Sequence, residues 1–203
     1  MQVQKTDIRR RIIEVAKAEF LEKGYKNVSM RTIAKNTGVG LSNIYNYFKN
    51  KDEILEEVLN PLLMAFDIML NKHNSPEYIS IDIFISKEYQ QKQINMFVDL
   101  IKQYRKELHL LLFRTHGSSL ENYSEEYTNR HTALGLEYIQ KMKEKYPQVN
   151  TNISDFFIHT ISSWWISIIG EIVSHDLDDN EIQKFITEYM EFGTAGWKKI
   201  MRV

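Results

Sequence analysis

The chain is predicted to be all-α, and three observations predict it. Apolar residues recur at a helical period over most of the 203 residues rather than alternating. Only three prolines occur, Pro61, Pro76 and Pro147, so long helices meet few obstacles. Capping patterns of the Ser/Asn/Asp-x-x-Glu kind precede several of the periodic stretches. About nine helices are expected. The length allows a core in each of two parts, an N-terminal head at residues 1–50 and a helical body at residues 51–203.

The first helix is expected from about Asp7 to Lys23. Ile8, Ile12, Ala16 and Phe20 trace one of its faces, and Gly24 ends it. Ser29 is a good N-cap for a second helix, in which Met30, Ile33 and Ala34 share a side. Gly38 offers the positive φ that stops a helix, and Val39 is an apolar plug after the turn. Ser42 is placed to cap a third helix with Ile44 and Phe48 inward. Helices joined by so short a turn cross steeply, so Ser29–Lys51 reads as a helix-turn-helix. Asn50 and Glu53 fit a capping box for a fourth helix, which carries Ile54, Leu55, Val58, Leu62, Phe66 and Met69. Pro61 is expected to kink it or mark a join.

After a loop at Asn71–Pro76, helices are expected at about Glu77–Gln103 and Lys106–Thr115. Ile79–Ile85 alternates like a strand, but a lone strand there would have no partner. Ser118 with Glu121 suggests a cap for a long helix that runs to about Lys145 and stops before Pro147. Two helices close the chain, one at about Ser154–His175 and one introduced by Asp178-x-x-Glu181. Thr160, Ser163, Ser167, Gly170 and Ser174 form a stripe of small residues along the first. Ile182, Ile186, Tyr189, Gly193 and Gly196 share a face of the second. Helices that are apolar or small on more than one side are buried on more than one side, which here points to a homodimer contact.

Net charge is −1, but it is unevenly spread. Residues 1–51 hold 11 Lys and Arg against 4 Asp and Glu, a net of +7, whereas residues 52–203 carry −8. A basic head on an acidic body is the asymmetry expected when one end meets phosphate. Ala34, Gly38 and Ile44 keep the small–glycine–aliphatic register of DNA-binding helix-turn-helix units. Tyr45, Phe48 and Lys51 stand as Tyr-x-x-Phe-x-x-Lys ahead of Asp52-Glu53-Ile54-Leu55. On these residues the segment from Ile12 to Leu55 resembles the N-terminal domain of the TetR/AcrR family of transcriptional regulators. The resemblance implies a dimer built as a four-helix bundle of the last two helices, repression, and release by a ligand. It also implies that Tyr47 and Lys51 touch the DNA backbone.

A major groove admits one helix and is read by hydrogen bonds and methyl contacts to base edges. The third helix offers Gly40, Leu41, Ser42 and Asn43, followed by Tyr45, Asn46 and Tyr47, and none of them is charged. Asparagine pairs with adenine and leucine packs on a thymine methyl, so half-sites rich in A·T are expected. Leu41 departs from the polar or basic residue common in relatives. Arg31 is expected to reach a base edge or a phosphate. Phosphate contacts, which set register without reading sequence, are expected from Ser29, Thr32, Tyr45, Tyr47, Lys49 and Lys51. The partner is then a palindromic double-stranded DNA operator.

The chain has no cysteine, hence no disulfide and no thiolate metal site. Its six histidines show no His-Glu-x-x-His or Glu-x-x-His spacing, and Glu171 with His175 reads as a surface or interface pair. No glycine-rich phosphate loop, G-x-S-x-G elbow or thiol nucleophile supports an enzyme, and no cofactor is implied. The body instead offers apolar and aromatic surface for a small effector at Met64, Met69, Phe97, Tyr104, Phe113, Tyr123 and Tyr127, and at Trp164 and Trp165. His116, Glu171 and His175 are the candidate polar anchors. No signal-peptide core opens the chain, and uncharged runs fall short of the roughly 20 residues of a membrane span, so a cytoplasmic protein is expected. The competing reading is a small-molecule-binding or protein-interaction module that does not bind DNA.

Overall fold

A computed structural model describes residues 2–72 and 74–203, with side chains from Lys5 onward. Eight α-helices occur among the described residues. They are α1 (Gln2–Lys23), α2 (Met30–Thr37), α3 (Leu41–Ile44), α4 (Lys51–Lys72), α5 (Lys87–Phe113), α6 (Tyr123–Lys145), α7 (Asp155–Ser174) and α8 (Asp179–Met201), with short 3-10 turns at Tyr25–Asn27 and Ile81–Phe84. The expected ninth helix disappears because Glu77–Gln103 and Lys106–Thr115 are parts of one. The Ser80 hydroxyl accepts the Asp82 N–H and holds Ile81–Phe84 in a 3-10 turn, so α5 begins only at Lys87. It then runs through to Phe113, with a single non-helical residue, Tyr104, at φ −118° and ψ 20°. Helix α4 continues through Pro61, so that proline does not mark a join between two helices.

The chain forms two compact units that do not follow a single cut at residue 50. The first unites Met1–Met64 with Lys106–Tyr123. Its core gathers Ile12, Ala16 and Phe20 of α1, Ile33 of α2, Ile44, Phe48, and Ile54 and Leu55 of α4. The end of α5 is built into this unit by polar contacts as well as by Leu108 and Leu111. The Arg114 guanidinium donates to the carbonyls of Leu21 and Glu22 at 3.0 and 2.9 Å, two of the acceptors that a helix end leaves unsatisfied. The Arg114 carbonyl in turn accepts the Tyr25 N–H at 2.9 Å. Lys17 pairs with the nearly buried Glu107, and the Ser119 N–H donates to Asp52 at 3.0 Å. The expected Ser118–Glu121 helix cap is instead part of a turn. The Glu121 carboxylate accepts from the Gly117 N–H at 2.9 Å, which holds its pKa below the usual carboxylate value, and α6 starts later, at Tyr123.

The second unit, Ala65–Arg105 with Ser124–Val203, is made from the remainder of α4 and α5 with α6, α7 and α8. Helix α8 opens with the expected reciprocal capping box of Asp178 and Glu181. The Arg105 guanidinium donates to the carbonyls of His175 and Leu177 at 2.6 and 2.7 Å, tying the α7–α8 connection to α5. Gly135 of α6 lies so close to α7 that a Cβ there would sit 2.8 Å from Ile158 Cγ2. Helix α7 is long and apolar enough to cross a membrane by length and composition, which the expectation from uncharged runs did not allow for. Half of its most apolar window is buried within the unit.

Candidate nucleic-acid interface and cavity

The local sequence fixes the helix-turn-helix closely. Ser29 caps α2 by accepting the Thr32 N–H at 3.1 Å, and its hydroxyl pairs with that of Thr32 at 2.9 Å. Gly38 sits at φ 68° and ψ 15°, the left-handed geometry that stops α2. The buried Thr37 hydroxyl donates to the Ile33 and Ala34 carbonyls and accepts the Val39 N–H at 3.2 Å, which sets the turn. Helix α3 begins at Gly40 without a side-chain cap, so Ser42 lies inside it and faces solvent rather than capping it. Ile44 and Phe48 are buried beneath. Glu19, an acidic residue on the otherwise apolar face of α1, is satisfied from two sides. Asn36 and Lys23 each donate to it at 2.7 Å, fastening α2 to α1.

This packing leaves Gly40, Ser42, Asn43, Tyr45 and Asn46 exposed, with Leu41 and Tyr47 partly so. The Asn46 amide donates to Asn43 Oδ1 at 3.2 Å, so the two candidate adenine readers order each other. Ser29, Arg31 and Lys49 are exposed near the same surface, with Thr32 half-buried. Sequence reasoning missed Lys5 and Thr6. Together with Arg9 of α1, they border a surface groove shared with Asn43, Asn46 and Tyr47. Arg9 is partly spent on Glu57 at 2.5 Å and on the Phe48 ring, which leaves Lys5 as the groove's exposed cation.

Lys51 is a correction. Expected at the phosphate backbone, its ammonium turns inward and donates to the carbonyls of Tyr25 and Val28 at 2.7 and 2.8 Å, over the Tyr25 ring at 3.8 Å. It holds the α1–α2 connection against the start of α4. Burial lowers its pKa, against the opposing pull of the Asp52 carboxylate.

Residues 12–58 match the family model described as bacterial regulatory proteins, tetR family. That N-terminal segment is similar to the DNA-binding part of the TetR family. Over 57 residues it is 40% identical to the uncharacterized HTH-type transcriptional regulator YhgD of Bacillus subtilis, which covers 28% of this chain and 30% of that protein. The alignment therefore spans under a third of that relative's length. Two solved structures share the fold across nearly the whole chain. NalD, the secondary repressor of the MexAB-OprM multidrug efflux pump in Pseudomonas aeruginosa, superposes with a TM-score of 0.63 at 17% identity, over 94% of this chain and 96% of NalD. A TetR-like transcriptional regulator from Rhodococcus gives 0.61 at 13%, over 93% and 96%.

In the second unit lies a cavity of about 290 Å³, lined from α4 to α8 and the 3-10 turn at Ile81–Phe84. Of the residues expected there, Met69, Phe97, Tyr127 and Trp165 line it. Met64, Phe113, His116 and Tyr123 do not, because they belong to the other unit. Tyr104 sits at the break in α5, away from the lining. Trp164 is one residue, and so about 100° of helix, away from Trp165, and it faces outward. Glu171 is exposed and pairs with His175. Sequence reasoning missed Tyr78, Tyr89, Gln93, Tyr138 and Trp197, and it placed Tyr189 and Gly193 on a subunit contact although they line the cavity.

Only part of the small-residue stripe expected at a subunit contact lies at the surface of the chain. Thr160, Ser167 and Ser174 are exposed along α7 and Ser163 is half-buried, but Gly170 is buried inside the unit. Ile182 and Ile186 are fully buried, because at i, i+4 on α8 they share the face that meets α7. The outward surface is instead aromatic: Phe156, Trp164 and Phe192 are 77%, 41% and 66% exposed, and the Trp164 and Phe192 rings meet edge to face at 5.9 Å. Gly196 lies beside them with open space where a Cβ would stand.

Proposed function

We propose that this chain is a cytoplasmic transcription regulator that binds duplex DNA as a homodimer and releases it when a small, largely apolar effector enters the cavity. The observation that carries the reading is the exposed, uncharged surface of α3 within an N-terminal stretch, residues 1–51, of net charge +7. Cationic surroundings supply sequence-independent affinity, and Asn43, Asn46 and Leu41 are the groups suited to base edges. Three aromatic side chains on the outer face of α7 and α8 form a patch of the kind that soluble monomers rarely expose, and a second copy of the chain would cover it. Pairing by such a two-fold contact would set two heads about 34–36 Å apart, facing successive major grooves of a palindromic operator. An effector acts by preferring a body conformation with a different head spacing, and a coupling of about 1–3 kcal/mol is enough for regulation. That NalD is a repressor accords with repression here.

Selection of sites from random DNA, followed by binding at several salt concentrations, tests this. Sites with A·T-rich half-sites are expected, with affinity falling steeply as salt rises. Asn43→Ala should cost about 1–3 kcal/mol and relax preference at one position without changing the salt slope. Lys49→Ala should reduce that slope by about 1 on every sequence. A chain that selects no site, or whose binding ignores salt, is not a DNA-binding regulator.

A further inference from the structure

Beside α3 runs a groove whose walls carry hydrogen-bond donors and no carboxylate. Lys5, Thr6 and Arg9 of α1 form one side of it, and Asn43, Asn46 and Tyr47 form the other. Lys5 and Arg9 stand one helical turn apart on the same side of α1. An ammonium, a guanidinium, two amides and two hydroxyls suit a negative group that only accepts hydrogen bonds. The two cations are not equally available. Lys5 is exposed. The Arg9 guanidinium lies over the Phe48 ring, 5.1 Å from its centroid, and pairs with the Glu57 carboxylate of α4 at 2.5 Å. Those two side chains are 42% and 37% exposed, so water screens the pair and it contributes little. Arg9 can exchange Glu57 for another anion at small cost, and a phosphate offers it two oxygens in the geometry that a guanidinium fork fits.

The place of the groove identifies the anion, given the reading of α3 as the helix that enters DNA, on which this step rests. A helix with its side chains is about 10–12 Å across and the major groove is about 12 Å wide. A helix seated there brings whatever flanks it against the sugar-phosphate strands. Asn43 and Asn46 belong both to the exposed surface of α3 and to the wall of the groove. A strand bordering the bases that α3 reads therefore passes along Lys5 and Arg9. An acidic protein segment would meet the same donors only by covering Asn43 and Asn46, in competition with the duplex. We propose that the groove holds backbone phosphates of the duplex, one on Lys5 and one on Arg9, and that Arg9 reaches its phosphate by leaving Glu57. The start of α1 is then part of the DNA-contacting surface, and Glu57 of α4 sets how readily Arg9 joins it.

A labelled duplex of mixed sequence tests this on the full chain, because phosphate contacts act on every sequence. Affinity is read by fluorescence anisotropy over a range of salt concentrations, with Tm as the check on folding. Lys5→Gln and Arg9→Gln should each reduce the salt slope by about 1, and the double variant by about 2. Glu57→Gln leaves Arg9 no pair to break, so it should raise affinity about two- to five-fold. That gain should vanish when Arg9→Gln is already present. An equal gain with and without Arg9 would mean that Glu57 merely repels DNA, and it would overturn the exchange. Lys5 is exposed, so its variant stays informative if Arg9→Gln lowers Tm. A wild-type slope in either folded variant overturns the proposal and leaves the DNA-binding reading standing. If the unmodified chain binds no duplex even at low salt, the DNA-binding reading falls and the proposal with it.

Discussion

The inward turn of Lys51 separates two roles that one residue could play in a helix-turn-helix protein. Lys51→Met keeps the length and apolar stem of the side chain and removes its charge and donors. The wild-type ammonium makes two hydrogen bonds, of 2.7 and 2.8 Å, to the carbonyls of Tyr25 and Val28. Charge-assisted bonds of this kind contribute about 1.5–3 kcal/mol each. The side chain is only half-buried, so water replaces part of what is lost, and a net cost of about 2 kcal/mol is expected. For a chain of this size that corresponds to a fall in Tm of about 4–8 °C. Thermal unfolding followed by circular dichroism measures it, and the salt dependence of binding to a duplex supplies the second axis. A structural lysine changes Tm and leaves the salt slope near its wild-type value. A phosphate contact leaves Tm unchanged and lowers the slope by about 1. The second pattern would refute the geometry described for Lys51.

Phe192→Glu places a charge in the exposed aromatic patch and should weaken dimerisation by about 30-fold or more without unfolding the subunit, as read by analytical ultracentrifugation. A variant that stays dimeric at wild-type affinity removes α8 from the contact. Gly38→Ala forces a Cβ into the left-handed region, where Arg11 Nη2 would lie 3.6 Å away, so the cost of about 1–2 kcal/mol is conformational and not a clash. It should lower Tm and weaken DNA binding together; an unchanged Tm would contradict the turn geometry. At high pH, burial pushes the phenol of Tyr189 up to about 12, and those of Tyr127 and Tyr138 higher still. The unfolded chain ionises these groups near pH 10, so it binds fewer protons there and stability falls as pH rises, by up to about 1.4 kcal/mol per pH unit for each phenol. Phenolate absorbance should show these tyrosines ionising only with cooperative unfolding; ionisation of all 11 tyrosines before unfolding would overturn the burial.

The helix-turn-helix was legible because every signal in it is local. Ser29, Gly38, Ile44 and Phe48 act within a few residues of themselves, and a cap, a left-handed stop and an i, i+4 face are set by the backbone nearby. Reading failed where a side chain's partner lay far along the chain. The sequence places Lys51 beside the recognition helix, but only packing brings the Tyr25 and Val28 carbonyls to it, and they claim the charge that phosphate would have taken. Trp164 and Trp165 look equivalent in one dimension, yet the rotation of α7 sends one into the cavity and the other to the surface. The aromatic ring of a core, a cavity wall or a subunit contact has the same composition in all three places. The sequence by itself determined an all-α chain with a basic helix-turn-helix head, because periodicity, caps and charge are properties of neighbours. The tertiary structure alone decided that the head includes Lys106–Tyr123 and that the cavity is walled by Tyr78, Tyr89 and Tyr138, because both depend on which distant helices pack together.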